Sequence, residues 1–229
     1  VSPLSRILER YLNILVPPPA RGPSVCTTCW RPTDGYLRCS QCNIHFREFG
    51  AELADLVVII SMAGKGGQLA HVLAKYKYGE RPEMRKQFTD ELAYVLATFL
   101  AKHRQCLGEF DLVTVVPSTR QRASTLPLID ILSRRLNITR SRFAEALTTS
   151  STNTRRLRPD EYTVQADVAG KRVLLIDDQW TSGASLQSSA IALRRAGAAQ
   201  VAGLVIGRRV DTEPSGTYDW DVCTLCQQV

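Results

Sequence analysis

Residues 173–185, Val-Leu-Leu-Ile-Asp-Asp-Gln-Trp-Thr-Ser-Gly-Ala-Ser, constrain the fold more than any other stretch of the chain. Val173, Leu174, Leu175 and Ile176 form an unbroken apolar run rich in branched side chains, the pattern of a strand buried on both faces of a parallel sheet. Asp177 and Asp178 end the run, and a short Thr181-Ser182-Gly183 loop follows. A helical pattern then begins with Leu186, Ala190, Ile191 and Leu193, closed by Gly197 at a C-cap position. A strand-loop-helix of this kind aims backbone N–H groups and small hydroxyls at one spot, at the positive end of a helix dipole, which makes it a phosphate site. The paired carboxylates suit ribose hydroxyls or a Mg²⁺ ion, because a phosphate alone would be repelled. The same residues also fit a plain acidic strand end whose Thr181 or Ser182 caps the following helix.

At 229 residues the chain is long enough for one good core plus a small appendage. No apolar run approaches the ~20 residues of a membrane span. The first residues do not read as a secretory signal, since Arg6, Glu9 and Arg10 interrupt any apolar stretch. A net charge of +7 favours polyanionic ligands, nucleic acid or polyphosphates, but also suits a basic protein with no such partner. Six of the seven cysteines form three C-x-x-C pairs, Cys26/Cys29, Cys39/Cys42 and Cys223/Cys226. Without an export signal these read as reduced thiols, hence metal ligands or redox pairs before disulfides, and the expected location is cytoplasmic.

In chain order, Ser2-Pro3 opens a helix carrying Leu4, Ile7, Leu8, Tyr11, Leu12 and Leu15 at helical spacing, and Pro17-Pro18-Pro19 ends it in a stiff linker. The helix is expected to pack on the main body, with a partner-binding role as the alternative. Residues 1–20 thus read as helix and linker, 21–50 as a zinc ribbon and 51–229 as the main domain. In the ribbon, Cys26, Cys29, Cys39 and Cys42 make two knuckles, enough for a closed tetrahedral zinc site with a structural role. Arg31, Arg38, His45 and Arg47 with Trp30, Tyr36 and Phe46 read either as a surface that stacks single-stranded bases or as the ordinary exterior and mini-core of a ribbon.

Residues 56–61 give the first strand of the main domain, and Gly64-Lys65-Gly66-Gly67 a connection without full P-loop spacing. A helix ends in Lys75-Tyr76-Lys77-Tyr78, and a long amphipathic helix covers about 82–104, burying Met84, Phe88, Leu92, Val95, Leu96 and Phe99. Lone Cys106 reads as a small apolar residue. Residues 111–116 form another buried strand. Pro117, Ser118, Thr119, Arg120 and Arg122 follow it, and small residues with arginines at a strand end suit a pyrophosphate loop or, equally in kind, a solvated turn. One helix is expected through Leu126, Ile129, Leu132 and Leu136. The polar stretch 148–163, with Arg155, Arg156 and Arg158, is a candidate mobile lid over an anionic substrate. Residues 201–206 read as a further buried strand, followed by Arg208-Arg209. The tail pair Cys223/Cys226 has no second knuckle nearby in sequence and is expected to be thiols with no metal role in the monomer.

The 173–185 stretch resembles the PRPP-binding signature of type I phosphoribosyltransferases. The order of motifs, from the four-cysteine ribbon through the Lys-Tyr helix end, the Val-Pro strand end with its arginines and the signature, resembles the ComF/ComFC family over roughly residues 24–209. That resemblance implies an α/β type I phosphoribosyltransferase fold, a largely parallel sheet flanked by helices, with the small N-terminal zinc ribbon at its side. It also implies structural Zn²⁺, Mg²⁺ with PRPP, and single-stranded DNA and bacterial DNA uptake as alternatives to catalysis. Carried over, Asp177 and Asp178 meet the ribose hydroxyls and Mg²⁺. Thr181, Ser182, Gly183, Ala184 and Ser185 hold the 5′-phosphate, and the 117–122 turn faces the pyrophosphate. The family Lys-Tyr matches either Lys75-Tyr76 or Lys77-Tyr78, with Lys77 taken as the binding residue. The chain departs from the family at Ala123–Pro127, in lacking a Thr-x-x-Gln hood pattern, and in placing bulky Trp180 inside the phosphate loop.

Overall fold

A computed structural model describes residues 3–118, 126–151 and 155–226. Among them the strands are β1 (Leu56–Gly64), β2 (Leu112–Val115), β3 (Leu147–Thr149), β4 (Tyr162–Val164), β5 (Arg172–Trp180) and β6 (Gln200–Val210). The helices are α1 (Pro3–Leu12), α2 (Ser40–Phe49), α3 (Gln68–Tyr78), α4 (Pro82–Lys102), α5 (Arg104–Leu107), α6 (Pro127–Asp130), α7 (Asn137–Arg140) and α8 (Ala184–Arg195). Four strands make a wholly parallel sheet in the order β1-β6-β5-β2, and β3 pairs antiparallel with β4 in a separate ribbon.

The apolar runs are continuous because both faces of this sheet are covered. Alternation along each strand sends Val58, Ile60, Leu174, Ile176, Ala202, Leu204 and Ile206 to one core, shared with α1, α3 and α4. Val57, Ile59, Val173, Leu175, Val201 and Val205 go to the other, shared with α8, the β3–β4 ribbon and the cysteine-rich segment. The result is three layers, with the carboxyl ends of β2, β5 and β6 at one edge, where open parallel sheets place their ligand sites.

Three expectations change. The helix expected through Leu126 and Leu136 is broken into α6, a π-turn (Ile131–Arg135) and α7. The wider turn, closed by Leu136 N donating to Ile131 O, lets Ile131, Leu132 and Leu136 all reach the core. The polar stretch 148–163 is anchored at both ends by the β3–β4 pairing, buries Leu157 against α8, and hangs Arg158 N on Ser188 Oγ at 2.8 Å. Much of it is therefore packed against the body. Trp180, expected inside the phosphate loop, is the last residue of β5, with its side chain buried in the second core.

The N-terminal helix packs on the main body. Tyr11 and Leu15 are buried in the first core, and Tyr11 OH donates to Glu91 Oε2 of α4 at 3.0 Å. Glu91 is itself buried, paired with Arg10 and accepting from Gln87 Nε2 at 2.9 Å. The segment that follows is pinned to the edge of β1, where Val16 N donates to Ser61 Oγ at 2.8 Å and Met62 N to Val16 O at 2.8 Å. A buried carboxylate that loses a donor is left undersolvated. Tyr11→Phe should therefore lower the unfolding free energy by about 1 kcal/mol in urea titration. An unchanged midpoint would show that Arg10 and Gln87 satisfy Glu91 alone.

Candidate functional site

The end of β5 and the start of α8 build the centre of the site. Gly183 takes φ +82° at the N-cap of α8, and a Cβ there would lie 2.1 Å from the Trp180 ring. Only glycine satisfies both demands. Trp180 thus sits under the loop as its floor, and the turn above it stays narrow. Ser182 Oγ accepts from Ala184 N at 3.2 Å, and Thr181 is exposed at the rim. Behind the loop, buried Arg208 of β6 donates to Trp180 O at 3.2 Å and to Thr181 O at 3.0 Å.

The acidic pair closes one side. Asp178 is buried, and its Oδ2 accepts a hydrogen bond from Tyr76 OH and pairs with Lys77 Nζ, both at the end of α3. Asp177 opens partly into the cleft and caps the Asp178 amide, which donates to its Oδ1 at 2.9 Å. Burial, then the neighbouring Asp178 charge, push the Asp177 carboxyl up to about 8, against the pull of Lys77. A cation at the pair would offset the repulsion that keeps this proton bound.

These residues line a cleft of about 470 Å³, within the range of small-molecule sites. Asp177, Asp178, Lys77 and all of Thr181, Ser182, Gly183, Ala184 and Ser185 border it, as do Pro117 and Ser118 from the end of β2. Thr119, Arg120 and Arg122 lie outside the described residues. Arg155, expected in a lid over an anionic substrate, borders the cleft, and the structure adds two residues that sequence reasoning did not assign to the site: Arg209 at its border and Tyr76 behind Asp178. A signal for Tyr76 was present: Leu69, Val72, Leu73 and Tyr76 fall on one buried stripe of α3. Of the two candidate Lys-Tyr pairs, Lys77 and Tyr78 border the cleft, while Tyr76 and Lys77 together meet Asp178.

Away from the cleft, Cys26, Cys29, Cys39 and Cys42 bring their sulfurs within 4.8 Å of one another and could hold a metal ion. Cys29 and Cys39 sulfurs are 3.8 Å apart, about the edge of a tetrahedron with ~2.3 Å metal–sulfur bonds. The first pair sits on a turn in which Trp30, at φ +60°, donates from its amide to Cys26 O at 3.0 Å. The second pair is the start of α2, with Cys39 as its N-cap. Trp30 locks this segment to the sheet, donating from Nε1 to Val57 O at 3.1 Å. Arg208 reaches the same cluster, its second terminal nitrogen lying 3.6 Å from Cys29 Sγ. The basic and aromatic surface expected nearby is smaller than the sequence suggests, since Trp30 and His45 are buried. Burial holds the His45 imidazole down to about 4, so it carries no charge near neutrality. Tyr36 and Phe46 remain exposed, with the Arg38 guanidinium 3.7 Å from the Phe46 ring centre.

The raised Asp177 carboxyl has a pH signature. An aspartate in the unfolded chain titrates near ~3.9, whereas the folded protein holds this proton up to about 8. Folding therefore carries no penalty from this group below the unfolded value. The penalty grows as pH rises through the window between them and is complete above the folded value. Asp177→Asn should be close to neutral for thermal stability at pH 4 and should raise the melting temperature at pH 9, measured by scanning calorimetry at both. A variant less stable than the parent at pH 9 would contradict this assignment.

Residues 113–228 match the model of the phosphoribosyl transferase domain, a stretch that starts in β2 and takes in the acidic pair, the hydroxyl loop and α8. No curated protein matches the chain. Among solved structures, the chain is similar to one described as the structure of the allosteric regulatory enzyme of purine biosynthesis, at 20% identity and a TM-score of 0.38. That match covers 58% of this chain and 30% of the other. With a parallel sheet flanked by helices and a matched region that includes the whole strand-loop-helix, the chain belongs to the phosphoribosyl transferase domain family.

Proposed function

We propose that the cleft binds PRPP together with Mg²⁺, as the site of a ComF-like phosphoribosyltransferase. The observation that carries this reading is the meeting of the Asp177–Asp178 pair with the 181–185 loop at one carboxyl edge of the sheet. A phosphorylated ribose needs both chemistries a few ångströms apart. The loop offers amides and hydroxyls at the start of α8 for the 5′-phosphate. Asp177 and Asp178 accept the ribose hydroxyls and would hold Mg²⁺, which on binding would neutralise charge on the pyrophosphate. Pro117 and Ser118 face the pyrophosphate, and Lys77 and Arg209 supply positive charge at the rim.

In transfer, an acceptor nucleophile forms a bond to ribose C1 as the C1–O bond to pyrophosphate breaks. The electron pair leaves with pyrophosphate, and the acceptor's proton passes to solvent. The task of the protein is to position the reactants and stabilise the departing charge. Zinc is the metal we assign to the Cys26–Cys29–Cys39–Cys42 cluster, where four thiolates leave no open position for catalysis. None of the seven cysteines is in a disulfide, which suits a reducing compartment such as the cytoplasm.

Asp178→Asn should weaken Mg²⁺-dependent PRPP binding at least about tenfold, roughly the 1.4 kcal/mol scale of one lost charge-assisted contact, by titration calorimetry. Absence of PRPP binding by the parent protein with Mg²⁺ present would end this reading.

A second reading, single-stranded DNA binding with PRPP as an effector or without it, draws on the exposed Tyr36, Phe46 and Arg38 of the ribbon. On this reading the double variant Tyr36→Ala/Phe46→Ala should lower affinity for a fluorescent oligothymidine at least about tenfold, from a lost stacking energy of ~1–3 kcal/mol per base. Equal affinity in parent and variant would remove the ribbon from consideration.

A further inference from the structure

The tail pair does not stand alone. Cys226 Sγ lies 3.4 Å from Cys223 Sγ, 3.4 Å from Cys106 Sγ and 3.4 Å from His103 Nδ1. Cys106 Sγ lies 3.6 Å from both Cys223 Sγ and His103 Nδ1. Four donor atoms thus crowd one point, two from the junction of α4 and α5 and two from the segment after β6. In sequence the halves are a His-x-x-Cys and a Cys-x-x-Cys more than a hundred residues apart, which is why neither reads as a metal motif alone. Cys223 and Cys226 have no second knuckle nearby in sequence, but folding brings two further donors beside them. These are Cys106, expected to be an apolar filler, and His103, which lies outside every sequence motif.

We propose that His103, Cys106, Cys223 and Cys226 form a second structural zinc site, independent of the ribbon. A tetrahedral ion with ~2.3 Å bonds to sulfur and ~2.05 Å to nitrogen sets donors about 3.8 Å and about 3.6 Å apart, close to the spacings observed. A disulfide accounts for the cluster less well. It would join two sulfurs at ~2.05 Å and leave the third sulfur and the imidazole without a role. Three thiolates and one imidazole select zinc among the common divalent ions, and four protein donors mark a closed site.

The surroundings fit a ligated cluster. Leu225 N points at Cys223 Sγ at 3.4 Å, the amide-to-sulfur contact that stabilises a thiolate at a knuckle. His103 is buried and its ring packs on Phe99 at 4.5 Å between centroids, which restrains the imidazole. The segment carrying the cysteines is seated through buried Tyr218 and Trp220, and Lys102 pairs with Asp221 at 2.5 Å. The ion would rivet this segment to the end of α4, on the first core and away from the cleft.

The test uses the full chain purified without chelator. Elemental analysis should give two zinc ions per chain, falling to one in Cys226→Ser and in His103→Ala. Cys39→Ser should also fall to one, by loss of the ribbon ion. His103→Cys should keep two, because sulfur replaces nitrogen in the same shell. To guard against variants that misfold, cobalt titration of the metal-stripped parent should saturate at two equivalents, with thiolate charge-transfer and intense tetrahedral d–d bands at both steps. One zinc per chain with cobalt saturating at one equivalent would overturn the proposal. So would a parent value of two that Cys226→Ser leaves unchanged, or a Cys223–Cys226 disulfide in protein kept under reductant.

Discussion

Arg208 is the interaction on which the arrangement of both halves depends. It sits at the carboxyl end of the central strand β6, buried, level with Trp180 of β5 and Met62 of β1. A buried guanidinium must be matched by acceptors or its desolvation goes uncompensated. Its acceptors are the carbonyls of Trp180, Thr181 and Arg209 on one side and the Cys29 sulfur on the other. The loop that would receive a phosphate and the cluster that could hold a metal therefore share one cation. A metal-bound thiolate would carry the negative charge that suits this partner, while the carbonyl bonds hold the back of the loop in place. The cysteine-rich segment is thus tied to the back of the loop through Arg208 and to β1 through Trp30.

The cleft itself balances opposite charges. Asp177 and Asp178 concentrate negative charge at the end of β5, and Lys77, Arg155 and Arg209 surround it with positive charge. The chain's net charge of +7 suits a polyanion, while the acidic pair suits a cation or hydroxyl groups beside it. Phosphate alone would find the acidic side hostile, and a bare cation would find the rim hostile.

Local sequence made some of this legible and long-range packing hid the rest. The strand-loop-helix at 173–185 and the four ribbon cysteines are contiguous motifs, and each local rule (apolar alternation, a positive-φ glycine, C-x-x-C spacing) points the same way. Tyr76 lay on a readable stripe, yet its meeting with Asp178 depends on how α3 docks against β5. The His103–Cys106–Cys223–Cys226 cluster could not be read at all, because each half is an incomplete shell until the tail packs on α4. The π-turn at Ile131–Arg135 was hidden for a different reason: its residues obey helical spacing closely enough that only the need to bury three of them at once breaks the pattern. Trp180 misled because side-chain bulk was weighed without knowing which way the strand would turn it.

The strand order carries a consequence for how the chain assembles. β1 and β2 come first in sequence and take the two outer positions, while β5 and β6 come later and fill the space between them. The early strands cannot hydrogen-bond to each other in the native sheet, so each waits for a partner made much later. Contacts of this reach close slowly, since long loops must be ordered before any pairing rewards them. Until β5 and β6 arrive, two apolar strands stand with open edges, the condition in which chains associate with one another. A nascent chain of this topology thus stays vulnerable until β6 emerges, because β5 can pair with β2 but only β6 joins β1 to the rest and completes the sheet.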